Sequence, residues 1–471
     1  MKIYLYFCFI VGLVLNGMTV QGQNQTLNNF LQSKGLKYAG VGVKVVDLES
    51  GKDVCKHNEN LALVPASTLK ILTTASAFEI LGEKYVYKTS LYSVGNINGV
   101  GELSGYLYIE GSGDPTLGSE YMGATDKEAF LKEWLSAIQK AGIKKVKQGI
   151  CVSNFKESYE PSSVKWIIED VGNYYAPEIY PVNVFDNTYR LHLKSGKAGT
   201  APEVLKTEPF VNLNFYNYLK AASNNMDSAY IRGIPQSNDR YLYGTIPAGK
   251  PDFVIKGTIP KPPLFLADYL KKYLISNGIA VDGDISEVKQ PGNNSVKLIT
   301  TSSKSLYDII KIVNYRSNNH FAESLFYTIG GNTFDNTYIP KQGAEIIKNF
   351  WKKQGIDMSG VFMYDGCGLS PSNAISAGVL TDVLVYMNKK STSFYQSLPE
   401  AGKEGTVINF LKSKNATVQA RIKSGSINNV QSYAGYIEKG GKKYAFTIIV
   451  NNFTGSRTQL RSQIETFLLN L

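Results

Sequence analysis

β-Branched residues crowd Val41 to Asp47 (Val-Gly-Val-Lys-Val-Val-Asp), which predicts a strand. Glu49-Ser50-Gly51-Lys52 then supplies turn chemistry, and Asp53 to His57 completes a hairpin. Beyond Pro65 the pattern changes period. Leu69, Leu72, Ala75, Phe78 and Leu81 recur at helical spacings up to Gly82, which predicts a largely buried helix with Ser67 in its first turn. Between about 89 and 261, short strand-like runs, aromatic residues and turn residues alternate, with one amphipathic helix near Lys127 to Ala141. Helices return at Phe265 to Asn277, Ser305 to Ile312, Phe321 to Ile329 and Ala344 to Gln354. The chain closes with Ser432 to Glu438 and Lys443 to Asn451, joined by the turn Lys439-Gly440-Gly441-Lys442, and a helix near Thr458 to Leu469.

Strand pairs at both ends of the chain, separated by a helical block, imply one α/β (α+β) domain. Its helices lie on an antiparallel sheet that joins the N-terminal hairpin to the C-terminal strands. The expected division is a leader over 1–22, the sheet domain over 23–88 and 262–471, and an inserted β-rich region of two subdomains over 89–261. A length of 471 residues accommodates more than one core. The leader reading rests on Lys2 followed by the apolar run Ile3 to Leu15, which is too short to cross a bilayer of about 30 Å. Small residues at Val20 and Gly22 suit cleavage before Gln23, which places the mature protein in the periplasm or outside the cell.

A composition of 43% hydrophobic and 19% charged residues excludes a disordered chain and a polytopic membrane protein. The net charge of +11 comes from lysines spread along the chain rather than gathered in a stripe, so no nucleic-acid partner is implied. A polyanionic cell surface is the sharper reading of that excess. Cys55, Cys151 and Cys367 are far apart and form no Cys-x-x-Cys, so zinc is unsupported; one disulfide with a free thiol, or three buried thiols, are both open. No metal or organic cofactor is implied.

Three histidines (His57, His192, His320), no Gly-x-Ser-x-Gly and no His-Glu-x-x-His leave elbow-type serine hydrolases and zincins without their parts. A serine hydrolase can replace histidine with a neutral lysine within reach of the hydroxyl. Ser67-Thr68-Leu69-Lys70 offers that pair on one helix face. Ser-x-x-Lys alone is common. Ser317-Asn318-Asn319 after a predicted helix, and Lys423-Ser424-Gly425-Ser426 before the C-terminal hairpin, complete in order the motif set of penicillin-binding proteins and class A β-lactamases.

Lys423 would depress the pKa of Lys70 by like-charge repulsion and desolvation, so that Lys70 serves as base. Ser317 could pass a proton between the lysines and the leaving amine, and Asn319 could hold a substrate amide. The N–H groups of Ser67 and Ser426 would form the oxyanion hole, and Lys423, Ser424 and Ser426 would hold a terminal carboxylate, with Gly425 between them.

The 247 residues from Lys70 to Ser317 exceed what a compact β-lactamase needs. The chain resembles the class C, low-molecular-mass penicillin-binding proteins, the D-alanyl-D-alanine carboxypeptidase/endopeptidase family of type 4 (serine peptidase family S13). Besides the three motifs, the resemblance includes Gly111-Ser-Gly-Asp-Pro-Thr-Leu117, the segment Trp166 to Pro177, and Asp365-Gly-Cys-Gly-Leu-Ser370 with Asn373. It implies a split transpeptidase-like domain and cleavage of D-Ala-D-Ala termini, and of some cross-links, in peptidoglycan stem peptides through an acyl-serine. It also implies covalent inhibition by β-lactam antibiotics. By the same resemblance, an acidic residue near Trp166 receives the amino end of the stem diamino acid; Asp170 matches best and Glu169 is its rival. The departures are Lys-Ser-Gly for Lys-Thr-Gly, Cys367 where serine is usual, and His320 at a commonly apolar position. Two other readings compete: a non-catalytic peptidoglycan-binding scaffold, and a serine β-lactamase. The latter lacks a Glu-x-x-Leu-Asn between the first two motifs to supply a deacylating base.

Overall fold

The computed structural model describes residues 25–123, 126–153, 160–331, 339–412 and 418–471; the expected leader, 1–22, lies outside them. These residues form two compact units.

The first unit comprises the described chain up to Phe78, with Val313–Ser317 and Ile347–Leu471. Its frame is a five-stranded antiparallel sheet in the order Val418–Ile427, Val430–Lys439, Lys442–Asn451, Gly40–Asp47, Asp53–His57. The first and last parts of the chain meet at its centre, with Gly40 opposite Asn451 and Asp47 opposite Tyr444. Alternation sorts the side chains between the two faces. Val41, Val43, Val45, Phe446, Ile448 and Val450 face Leu27, Phe30, Ile464 and Phe467 of the terminal helices. The opposite face receives the helix Ala377–Lys390, whose Leu384 carbonyl accepts a hydrogen bond from Tyr436 at 2.8 Å and whose Asp382 pairs with Lys44 at 2.5 Å.

The expected helix after Pro65 is Leu69–Leu81, preceded by a 3₁₀ turn over Ala66–Thr68 that carries Ser67. Every residue from Leu69 to Ala77 is buried, as befits a helix with no polar face. Its small polar residues are satisfied locally: Trp351 donates its indole N–H to Ser76 at 2.8 Å, and Ser76 donates to the Leu72 carbonyl at 2.6 Å.

The second unit comprises Glu79–Ile312 and Asn318–Ile346. One of its cores lies under a mixed five-stranded sheet in the order Ile285–Val288, Ile150–Ser153, Tyr106–Gly111, Lys88–Val94, Ser295–Ser302. Helices Ala129–Lys140 and Pro262–Ser276 bury Leu131, Trp134, Ile138, Leu266, Leu270 and Leu274 with Leu107, Ile109 and Ile150 of that sheet. A second core gathers Leu191, Leu193, Leu219, Ile231, Leu242 and Ile255 from shorter strands over 188–258. The unit therefore extends past the boundary expected at 261. Helix Pro262–Ser276 shares its core with the preceding strands, and Ser295–Ser302 pairs antiparallel with Lys88–Val94.

Cys55, Cys151 and Cys367 are three separate buried thiols, which resolves the alternatives left by the sequence. Burial, with the charge of Asp53 adding to it, pushes the Cys55 thiol up to about 12, so it is inert at neutral pH. Among the described residues, no helix is long and apolar enough to cross a membrane.

Trp134 is fully buried, and its indole N–H donates to Thr301 at 2.9 Å. Trp134→Ala is expected to cost about 3–5 kcal/mol of the second unit's stability. Chemical denaturation followed by circular dichroism should show that loss as a lower unfolding midpoint.

Candidate active site

The turn that carries Ser67 is held from three sides. Ala66 takes a left-handed φ of 48°, uncommon for a residue with a Cβ. The Thr68 hydroxyl donates to the Pro65 carbonyl at 2.7 Å, and the Ser432 hydroxyl donates to the same oxygen at 2.6 Å. From the loop Asp365–Ser370, Gly368 lies so close that a Cβ there would sit 2.0 Å from the Ala66 carbonyl oxygen, so only glycine fits. Ser67 remains partly accessible on this turn.

Lys70 lies one turn further on, fully buried, with its Nζ 3.0 Å from Ser67 Oγ. The same Nζ donates to the Cys367 carbonyl at 2.6 Å. That carbonyl is presented by a loop wound around the buried Asp365. Its carboxylate accepts from Gly368 N at 2.7 Å, Ser370 N at 2.6 Å and Asn373 Nδ2 at 2.7 Å. Thr73 ties the loop back to helix Leu69–Leu81 by donating to the Gly366 carbonyl at 2.6 Å. The family pattern marks this segment without revealing a role for it. In the fold it fixes the Lys70 amine beside the hydroxyl. Cys367 contributes its backbone, so the departure from serine there leaves this contact intact.

Lys423 comes from the edge strand Val418–Ile427 and is also fully buried. Its Nζ donates to Ser317 Oγ at 2.9 Å and to the Ser424 carbonyl at 2.7 Å. Burial, reinforced by the charge of Lys70, holds the Lys423 amine well below the usual lysine range. Ser317 has a left-handed φ of 54° at the end of helix Leu306–Arg316. That end is fixed by Asn314 donating to Ser397 at 3.0 Å and Tyr315 donating to Glu404 at 2.8 Å.

Gly425 explains why the third motif contains glycine. A Cβ there would lie 2.8 Å from the Pro65 carbonyl oxygen and 2.8 Å from Thr68 N, so the bare backbone lets the edge strand rest on the Ser67 turn. Ser424 donates to Thr406 at 2.8 Å, and Ser426 is exposed beyond it. One unit thus brings together Ser67, Lys70, Ser317 and Lys423 with Ser424, Gly425 and Ser426.

Asn319 and Asp170 belong to the second unit, where they are joined through a residue that the sequence motifs do not single out. Asn319 Nδ2 donates to the Tyr175 carbonyl at 2.6 Å, and the Tyr175 phenol donates to Asp170 Oδ1 at 3.0 Å. Asp170 is half-buried. Burial raises its pKa, the Tyr175 bond opposes that rise and neighbouring Glu169 adds to it. His320 is buried beside Asn187 at 3.2 Å, and burial lowers its pKa to about 3, so it stays neutral. His192 lies between Asp252 at 2.9 Å and Glu208 at 3.2 Å on a small sheet.

The sequence matches the model of the D-Ala-D-Ala carboxypeptidase 3 (S13) family over residues 23–471. A curated D-alanyl-D-alanine carboxypeptidase DacB of Haemophilus influenzae is 24% identical over 423 residues, covering 88% of this chain and 86% of that protein. A D-alanyl-D-alanine carboxypeptidase of Actinomadura sp. (strain R39) is 25% identical over 458 residues, covering 93% and 83%. The crystal structure of penicillin binding protein 4 from H. influenzae superposes with a TM-score of 0.81 at 24% identity, over 94% of this chain and 98% of that one, so the two share a fold.

Two outcomes follow from the geometry. Gly425→Ala pushes the edge strand off the Ser67 turn and should slow covalent labelling by penicillin by roughly the 10²-fold that a misplacement of about 1 Å costs, as read by stopped-time labelling. Lys423 has a lower pKa folded than unfolded, so the unfolded chain binds more protons in the window between that value and 10.5, and stability rises with pH through it. Lys423→Met should therefore raise the melting temperature at pH 7, with a gain that shrinks towards pH 10.5, in parallel thermal scans.

Proposed function

The chain belongs to the D-Ala-D-Ala carboxypeptidase 3 (S13) family and is a serine-type D-Ala-D-Ala peptidase, and we propose that Ser67 is its nucleophile and Lys70 its base. The observation that carries the assignment is the 3.0 Å approach of a fully buried lysine amine to a partly accessible serine hydroxyl.

In this reading, Ser67 Oγ attacks the carbonyl carbon of the penultimate D-alanine while its proton passes to Lys70 Nζ. The tetrahedral oxyanion is met by the backbone N–H groups of Ser67 and Ser426. Collapse breaks the peptide bond, and the leaving D-alanine amine takes a proton through Ser317, which is hydrogen-bonded to Lys423 at 2.9 Å. Water then hydrolyses the acyl-serine, with the same groups acting in reverse. Lys423 and the hydroxyls of Ser424 and Ser426 bind the substrate's terminal carboxylate. The family motif assigns the substrate amide to Asn319 and the free amino end of the stem diamino acid to Asp170. A half-buried carboxylate with one phenol donor gains a strong partner when it meets an ammonium.

The substrate class is peptidoglycan stem peptides, with D-alanyl cross-links cleaved by the same chemistry. β-Lactams acylate Ser67. The leader directs the enzyme to the periplasm or the exterior.

Substitution separates these roles. Ser67→Ala should abolish both penicillin labelling and D-alanine release from muropeptides, and Lys70→Ala should slow acylation by about 10²–10⁴-fold. The acylation rate should rise with pH along a limb centred below the ordinary lysine pKa of 10.5, because the attacking site needs one lysine unprotonated. Undiminished labelling of Ser67→Ala would overturn the nucleophile, and rapid turnover of penicillin would favour a β-lactamase.

A further inference from the structure

Within the second unit, strands Asn214–Asn217, Asp239–Tyr243 and Tyr230–Gly233 form a small sheet with one apolar and one aromatic face. Phe215, Ile231 and Leu242 point into the core. Alternation turns Tyr216, Tyr241 and Arg232 outward as one row and Tyr243 and Tyr230 as the next, with Tyr218 just beyond the first strand completing that second row. Tyr216 stacks on Tyr241 with centroids 4.8 Å apart and planes 14° apart; Tyr218 stacks on Tyr243 at 5.2 Å and 15°. Each pair is stacked face to face, so the rings stand on edge, and the second faces of Tyr216 and Tyr218 lie towards the sheet edge. Tyr216, Tyr218 and Tyr230 are 44%, 56% and 38% exposed. Cross-strand pairs support a sheet, but that role does not require accessible phenols and ring edges gathered in one place.

Arg232 adds charge to the cluster. Its guanidinium lies 4.8 Å from the Tyr243 ring centroid, and its Nε is buried without a hydrogen-bond partner among the described residues. No carboxylate among the described residues pairs with it. A buried, unmatched guanidinium donor is costly unless an acceptor arrives. The cluster is also continuous with the segment that bears Asp170. Gly233 N donates to the Val171 carbonyl at 2.9 Å, and Ile231 N donates to the Asn173 side chain at 2.9 Å, along the strand's free edge.

We propose that this tyrosine cluster binds the glycan strand of peptidoglycan, with sugar rings packing against the faces of Tyr216 and Tyr218 that the stacks leave at the sheet edge and a muramyl-type carboxylate on Arg232. The C–H face of a pyranose is apolar and weakly positive, which suits the negative face of an aromatic ring, while the phenols hydrogen-bond the ring hydroxyls. Alternate sugars of that polymer carry a carboxylate-derived group from which the stem peptide hangs, and a positive, unpaired guanidinium complements those left free. A glycan held here would present its stem peptides beside the Asp170 segment. The inference rests on the peptidoglycan-peptidase reading, and it adds a site for the carbohydrate rather than the peptide.

The experiment uses the mature full-length chain and three probes: purified sacculi, peptide-free glycan strands prepared with an amidase, and a soluble N-acylated tripeptide ending in D-Ala-D-Ala. The wild type should bind sacculi and glycan strands. Tyr216→Ser with Tyr241→Ser should weaken both by about tenfold or more, as loss of two ring contacts predicts. Arg232→Gln should weaken both and flatten the salt dependence. Tyr216→Phe, which keeps the ring and loses only the phenol, should weaken binding less than the double serine variant, and every variant should release D-alanine from the tripeptide at the wild-type rate. Tyr218→Lys, at an exposed strand end, gives the same reading if the double variant folds poorly. Unchanged glycan binding in these variants, or a wild type that ignores glycan strands and binds only peptide or another envelope protein, overturns the proposal. Binding by the Ser67→Ala chain is scored separately. A cluster that binds glycan in an enzyme inactive on the tripeptide would sink the peptidase reading and leave this one standing.

Discussion

Two lysine amines buried in one unit, close enough for the charge of one to oppose that of the other, are the constraint around which the catalytic half is built. Water would dissolve the conflict by solvating both ammonium groups, so the structure must keep water out and still leave the hydroxyl accessible. It does so by division of labour. Lys70 and Lys423 have no exposed surface, while Ser67 and Ser317, their hydrogen-bond partners, remain partly open. Each amine also donates to a main-chain carbonyl, Cys367 or Ser424, whose position is set by the fold. Two buried amines are thereby each aimed at a hydroxyl oxygen, Lys70 at Ser67 and Lys423 at Ser317.

Such a site opposes folding stability, since desolvated cations and left-handed φ values at Ala66 and Ser317 each cost free energy. The surrounding structure overdetermines it. Glycines at 368 and 425 let two backbones approach the Ser67 turn more closely than any side chain allows, and buried Asp365 organises a loop through hydrogen bonds from Gly368, Ser370 and Asn373. The antiparallel sheet beneath buries an apolar face against the terminal helices, and helix Leu69–Leu81 is buried throughout from Leu69 to Ala77. Stability supplied by that core is what allows a strained, partly charged site to persist.

Much of this was legible in the sequence because it is local. The hairpin over Gly40–His57, the buried helix after Pro65 and the final strand pair each carry their own period and turn residues, and they appear within a few residues of the expected limits. The three motifs were legible because hydroxyl, amine and glycine occur at fixed short spacings. What escaped notice depends on partners distant in sequence. The helix Ala377–Lys390 begins with a plain Ser376 cap among small residues and is selected by the sheet face it covers. Helix Pro262–Ser276 was recognised as a helix, but its period does not reveal that its core partners are Leu107 and Ile150. Likewise, nothing in the order Asp365-Gly-Cys-Gly announces a carbonyl aimed at Lys70, and nothing in Tyr175 announces a link between Asn319 and Asp170.

The central claim is that one amine of the buried pair is held neutral by its neighbour and its burial. Nuclear magnetic resonance titration of the mature protein, observing lysine side-chain carbons labelled at Cε and assigned by substitution at positions 70 and 423, measures this directly. The account predicts one buried lysine that deprotonates well below the rest, and a return of the remaining lysine towards the ordinary range when its partner is replaced by methionine. Two lysines that titrate together with the surface population, each indifferent to loss of the other, would contradict it.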